Sequence, residues 1–196
     1  MATLPTTTSK AVGSKVQALD WNTYVKGNDD FFISNRPICV LKQNVAQTAF
    51  ASATNTSVIF DTEVVDRDNQ HSTVSNLSRI NIGNTLGWYR VTGHVAFAGS
   101  AAGNTRRVSM FLNPTITGET TAAGGTVSGG TQYEQTITFS NATTNLLTVA
   151  LVTTYVQATS ASDFIILNAW QDTGGTLATG VSGTFRSTFA AEWIGS

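Results

Sequence analysis

The stretch Gly87-Trp88-Tyr89-Arg90-Val91-Thr92-Gly93-His94-Val95-Ala96-Phe97-Ala98 decides the fold class. It alternates with a period of two. Tyr89, Val91, Val95 and Phe97 fall on one side and Trp88, Arg90, Thr92 and His94 on the other, the pattern of a strand with one face in a core. The second face carries an aromatic, an arginine and a histidine. These suit a covered polar surface better than open solvent, and a neighbouring subunit is one way to cover it. The stretch therefore reads as a central strand, with core on one side and a covered face on the other.

The chain has 196 residues, enough for one domain with some length left for an arm or long loops. Charged residues make up 12%, about half the usual share, so the polar surface is built from Thr, Ser, Asn and Gly. That composition favours strands and turns over helices. A net charge of -1 leaves no electrostatic footprint for nucleic acid or an anionic membrane, and neither is expected as a partner. Cys39 is alone, which excludes an intrachain disulfide and a thiolate metal site; it reads as a small buried apolar residue. The first ten residues lack the basic start and apolar run of a signal peptide, and no later run approaches a membrane span. The expectation is synthesis in a host cytoplasm, with exit by lysis or within a larger particle.

Outward from the central strand, residues 1 to about 13 are threonine-rich and unpatterned. Ser14-Lys15-Val16-Gln17 has the form of a capping box and Gly27 that of a helix C-terminal cap, which predicts a helix near 15–26. Its apolar residues lie on two sides, so it either packs on its own domain or anchors in another protein. The anchoring candidates are Trp21, Tyr24, Val25, Phe31 and Phe32. Pro37 then breaks the chain, which divides it into an arm, 1–36, and a compact domain, 37–196. Strands are predicted at 38–42, 58–65, 107–112, 133–139, 146–156, 164–170 and 185–194, with 72–82 extended. Residues 115–130, including Gly124, Gly125, Gly129 and Gly130, read as a long exposed loop, and 146–156, apolar on both faces, as buried. About eight short strands with turn-rich links argue for an all-β sandwich, barrel or jelly roll.

Three sets of residues carry a family resemblance: 87–93; Arg106-Arg107-Val108-Ser109-Met110-Phe111-Leu112-Asn113; and the ending, Asp163 to Asp172, Gly174-Gly175 and Ser187-Thr188-Phe189-Ala190-Ala191-Glu192-Trp193. Together they resemble the jelly roll of the tumour-necrosis-factor and complement-head superfamily over residues 37–196. The whole chain is also similar to minor tail or fibre proteins of tailed bacteriophages, particularly of actinobacteria. In these a segment like Trp21-Asn22-Thr23-Tyr24-Val25-Lys26-Gly27-Asn28 precedes such a jelly roll. Two departures stand out: Ser162-Asp163 replaces the usual Gly-Asp turn, and the 115–130 loop is long and glycine-rich, so the superfamily's ligand-binding loops are not carried over.

The resemblance implies an all-β jelly-roll sandwich with a short N-terminal helical arm, assembled as a homotrimer. It places the central strand beside the closing strand in an inner sheet. Counting by twos then sets Phe185, Phe189 and Trp193 in the core, and it sets Trp88, Arg90, His94, Arg186, Thr188 and Glu192 on the face that meets the three-fold partners.

Sites for chemistry are scarce. Gly125-Thr126-Val127-Ser128-Gly129 is not a nucleophile elbow, because its serine falls one place late. His71 and His94 have no partners at ligand spacing. Asp66, Asp68 and Asn69 resemble the start of a calcium loop without its glycine and distal glutamate, and read as a solvated turn. Trp170 and Tyr155 could stack on sugar rings, but their strand patterns place them in the core. No catalytic residue, metal ligand or cofactor is therefore expected. The expected role is a structural component of a phage virion, tail fibre, tip or capsid decoration, held to other virion proteins by residues 1–36. The alternative is a receptor- or glycan-binding module in which a host surface glycan is a further partner.

Overall fold

The computed structural model describes residue 15 and residues 18–139, 148–182 and 185–196. Twelve strands appear among them: β1 (Ile38–Lys42), β2 (Thr56–Ser57), β3 (Thr62–Asp66), β4 (Arg79–Ile80), β5 (Gly87–Phe97), β6 (Thr105–Leu112), β7 (Thr115–Thr117), β8 (Thr126–Ser128), β9 (Thr131–Phe139), β10 (Thr148–Ala158), β11 (Ile165–Gln171) and β12 (Thr188–Gly195). They form two antiparallel sheets, one of five strands in the order β10-β5-β12-β1-β3 and one of seven, β7-β8-β2-β11-β6-β9 with β4 also on β11. The sheets face each other as a sandwich.

Strand β5 lies inside the five-stranded sheet, between β10 and β12, and its alternation runs as expected. Tyr89, Val91, Val95 and Phe97 are buried while Trp88, Arg90 and Thr92 are exposed. Its Gly93 also faces inward, where an added Cβ would stand 2.5 Å from Leu167 of the opposite sheet. Phe60 stacks on Phe189 and Phe50 meets Phe97 edge-on within the same core. Of the strand expected at 58–65 only the part from Thr62 is strand, as β3, and β2 just before it belongs to the other sheet. Val58, Ile59 and Phe60 form the crossing, fully apolar because they pass through the core. The backbone there is satisfied by buried amides: Gln43 donates to the Ile59 carbonyl, Gln47 donates to that of Ser57, and the Ile59 amide donates to Gln47.

Several expectations need correction. Residues 115–130 are not a loose loop but the β7-β8 hairpin, laid against β2. Gly125 is buried, Gly124 is half-buried with the Ser57 carbonyl where its Cβ would be, and only Gly129 and Gly130 form an exposed turn, at φ 62° and 74°. The glycines that suggested freedom at 124–125 exist because two backbones approach there. Strand β10 is not buried on both faces: Val152 and Val156 point inward, but Thr153, Tyr155 and Gln157 are exposed. Strand β12 begins at Thr188, and Phe185, expected in the core, is 51% exposed ahead of it. The Asp66–Asn69 turn is solvated only in part: Arg67 and Asn69 are exposed, but the two aspartates are engaged. Asp68 is buried and accepts from the Thr85 hydroxyl at 2.8 Å, while Asp66 accepts the amides of Gln70 and His71.

The helix does not stop at Gly27, which has helical angles of -62° and -37°. A continuous helical segment runs from Ala18 to Asn35, with π-helical turns at Trp21–Lys26 and Phe31–Asn35. It ends where Arg36, forced to ψ 130°, precedes Pro37. Ser14, Val16 and Gln17 of the expected capping box lie outside the described residues. The packing boundary also differs from the chain break at Pro37. Phe31 is 3% exposed within the core cluster and meets Trp193 edge-on, ring centroids 5.4 Å apart.

Candidate functional site

The outward face of the five-stranded sheet gathers the residues that alternation singled out. Register sets three rows across β5, β12 and β1, the first two continuing onto β10: Tyr155, Arg90, Glu192, Ile38; Thr153, Thr92, Ala190, Val40; and His94, Thr188, Lys42. Trp88 stands beside Gln157 at the upper end of the face. A flat antiparallel sheet puts such residues within about 5 Å of their cross-strand neighbours, so each row acts as one surface.

Glu192 organises the top row. One carboxylate oxygen takes the guanidinium of Arg90 and the other takes that of Arg36, from the end of the arm. The carboxylate is largely shielded while both arginines keep a third or more of their surface, so in the free chain this charge trio is partly open to water. At such exposure each pair contributes about 0 to 1 kcal/mol; under a partner that excluded water, losing the carboxylate would cost about 3 to 5 kcal/mol.

In the bottom row His94 Nε2 faces the Arg186 carbonyl at 2.7 Å and Nδ1 faces the Thr188 hydroxyl at 2.9 Å. Both ring nitrogens are thus spent on the closing strand and its approach. Arg186 reaches away to the Asn44 side chain.

One end of the face is apolar. Trp88 is 42% and Tyr155 56% exposed, with Leu86 and Ile194 also open at the same end. Tyr155 was placed in the core by sequence reasoning and belongs here instead. The signal that could have found it is the Thr153, Tyr155, Gln157 alternation against Val152, Thr154 and Val156.

Of the anchoring candidates, Phe31 is consumed by the core and is not available to another protein. Trp21, Val25 and Phe32 are exposed, and Phe32 leans on Trp193 with its ring centroid 6.3 Å away. The Tyr24 side chain lies outside the described residues. Trp170 is half-buried, with the Arg107 guanidinium 4.7 Å above its ring and that arginine also bound to Asn55, so its outward face is covered from within. Among the described residues no three His, Cys, Asp or Glu side chains gather, and no helix is long and apolar enough to cross a membrane.

Burial pushes the Cys39 thiol far up, assisted by Asp66 and Glu63, which keeps it unreactive. Asp163, in the turn before β11, behaves oppositely. Burial alone would raise its pKa, but bonds from the Asn113 amide and from the backbone and hydroxyl of Thr159 and the Ser160 backbone hold it below the usual carboxylate range. This is the Ser162-Asp163 turn, and its bonds tie the start of β11 to the end of β6 without a glycine.

The chain matches no family model and no curated protein sequence. Its fold has solved counterparts. Murine APRIL at pH 5.0 superposes with a TM-score of 0.52 at 11% identity, over 80% of this chain and 98% of that one. Eiger TNF from S. frugiperda superposes with a TM-score of 0.51 at 12% identity, over 82% of this chain and 96% of that one. The fold is therefore a tumour-necrosis-factor-like jelly roll, the sandwich expected from the sequence; identities this low carry the fold and nothing about ligands or partners.

Proposed function

We propose that this chain is a structural protein of a bacteriophage particle, a homotrimeric jelly roll that associates through the outward face of its five-stranded sheet and is held to other virion proteins by its N-terminal arm. The observation that carries the trimer is the exposed Trp88–Tyr155 end of that face beside the Arg90–Glu192–Arg36 trio, in which one carboxylate offsets one of two guanidinium charges. Such a surface, joining aromatic area to arginines held by a shielded carboxylate, resembles an interface core rather than a solvated sheet. The virion role is supported by the Trp21–Asn28 segment and its likeness to phage tail and fibre proteins. The exposed Trp21, Val25 and Phe32 give the arm an apolar surface to offer. In this reading the protein is not an enzyme, and its work is to present a durable surface. The direct test is a map of the particle from the phage that carries the gene: density for three copies, with residues 1–36 against a second virion protein, is expected, and absence of the chain from purified particles would refute the role.

A second reading, a module contacting host glycans, is favoured by a polar cleft on the seven-stranded sheet, which stays open when the other face is covered.

A further inference from the structure

The cleft lies between the loop leading to β4 and the tip of the β7-β8 hairpin, and encloses about 290 Å3. Val74, Ser75, Asn76 and Leu77 form one wall and Glu119, Thr120 and Thr121 the other. Both walls are held by local bonds. Ser72 accepts the amides of Val74 and Ser75, and Thr120 accepts those of Ala122 and Ala123. The shape therefore exists before any ligand arrives.

Glu119 gives the cleft its chemistry. The hydroxyls of Ser57, 3.2 Å away, and of Ser78 both donate to its Oε2, and both serines are buried, so neither hydroxyl can turn to water. Oε1 takes no bond from the described residues and is left to what enters the cleft. No Lys, Arg or His lines the walls, so the carboxylate gains most from a ligand that brings its own donors. The exposed side chain of Val74 opposite provides a surface for C–H groups.

We propose that this cleft binds one sugar ring of a glycan, with Glu119 Oε1 accepting a ring hydroxyl and Val74 packing on the ring. The volume is at the lower edge of small-molecule sites and suits a single ring rather than an extended oligosaccharide. Hydroxyl-to-carboxylate bonds are charge-assisted, which suits a shallow site with few contacts. The inference rests on the second functional reading and gives it a location.

The test is an NMR titration of the full chain with methyl glycosides of glucose, galactose, mannose and N-acetylglucosamine, with ethylammonium chloride as a cationic probe, alongside a glycan array. Glu119→Gln removes the anchor. Val74→Trp fills the mouth from an exposed position and leaves Ser57 and Ser78 undisturbed, so it remains informative if the first variant folds poorly. The expected result is binding of at least one glycoside, weakened at least tenfold in Val74→Trp at an unchanged melting temperature, and weakened likewise in Glu119→Gln. Glycan binding that both variants retain in full would overturn the cleft and leave the glycan reading standing. A blank array with no glycoside bound would overturn both, and binding of ethylammonium alone would overturn the sugar assignment.

Discussion

Glu192 stands directly opposite Arg90 across the β12-β5 ladder and divides its carboxylate between that residue and Arg36 of the arm. One side chain thus joins the sheet face to the segment that precedes the domain. The arm is fastened twice to β12, by Arg36 on the outward face and by Phe31 against Trp193 on the inward one.

The two fastenings differ in strength. Phe31→Ala removes a buried ring from the core and should lower stability in urea by about 3 kcal/mol. Arg36→Ala, at a partly exposed pair, should cost about 0 to 1 kcal/mol. Equal effects of the two substitutions would mean that Phe31 is not core. By the same argument a chain starting at Arg36 uncovers Trp193 and should unfold earlier in urea than the full chain.

The hairpin at 115–128 should resist exchange with solvent. The Gly125 amide donates to the Ser57 hydroxyl and that of Val127 to the Asn55 carbonyl, so both should be protected in hydrogen-exchange measurements. Gly124→Ala would place a Cβ 1.7 Å from the Ser57 oxygen and should cost about 1 to 3 kcal/mol as the backbones separate. Gly129→Ala meets nothing and pays only for its positive φ, about 1 kcal/mol. Fast exchange at Gly125 and Val127 would restore the picture of a free loop.

Acid should act through Asp163. Its pKa is depressed in the folded chain, so its contribution is fully present above the unfolded value of about 3.9 and is lost as pH falls below that, through the folded value. Asp163→Asn should be less stable at pH 7 and should lose less on acidification from pH 4 downward. Denaturant midpoints against pH for the two proteins measure this; parallel curves would show that Asp163 does not carry the acid limb.

The parts legible in the sequence were those governed by alternation on a half-buried surface. Tyr89 to Phe97 could be assigned face by face because each inward residue is apolar and most outward ones are not, and the same holds for Phe189, Ala191 and Trp193. The rest depended on distant partners. Val58 to Phe60 is an unbroken apolar run because it crosses between sheets, which a run of that length cannot distinguish from a strand. Gly124 and Gly125 look alike to Gly129 and Gly130 in sequence, yet the first pair is small to admit Ser57 and the second to turn the chain. Phe31 was read with the arm because Pro37 marks a break in the backbone, whereas its packing is decided by Trp193, far along the chain. Arg36 and Glu119 carried no local pattern at all, since each acquires its role from residues brought close only by the fold.

The central claim is that the outward face of the five-stranded sheet is where copies of the chain meet. Light scattering on the full chain and on Glu192→Lys tests it most directly, with Arg36→Ala as the control for loss of the arm contact and Glu134→Lys as a charge reversal at an exposed position on β9, in the other sheet. A wild-type trimer is expected that Arg36→Ala and Glu134→Lys preserve and Glu192→Lys dissociates, because the lysine leaves three cations together where a partner must close. A wild-type monomer, or a Glu192→Lys protein that stays trimeric with unchanged heat stability, would contradict it.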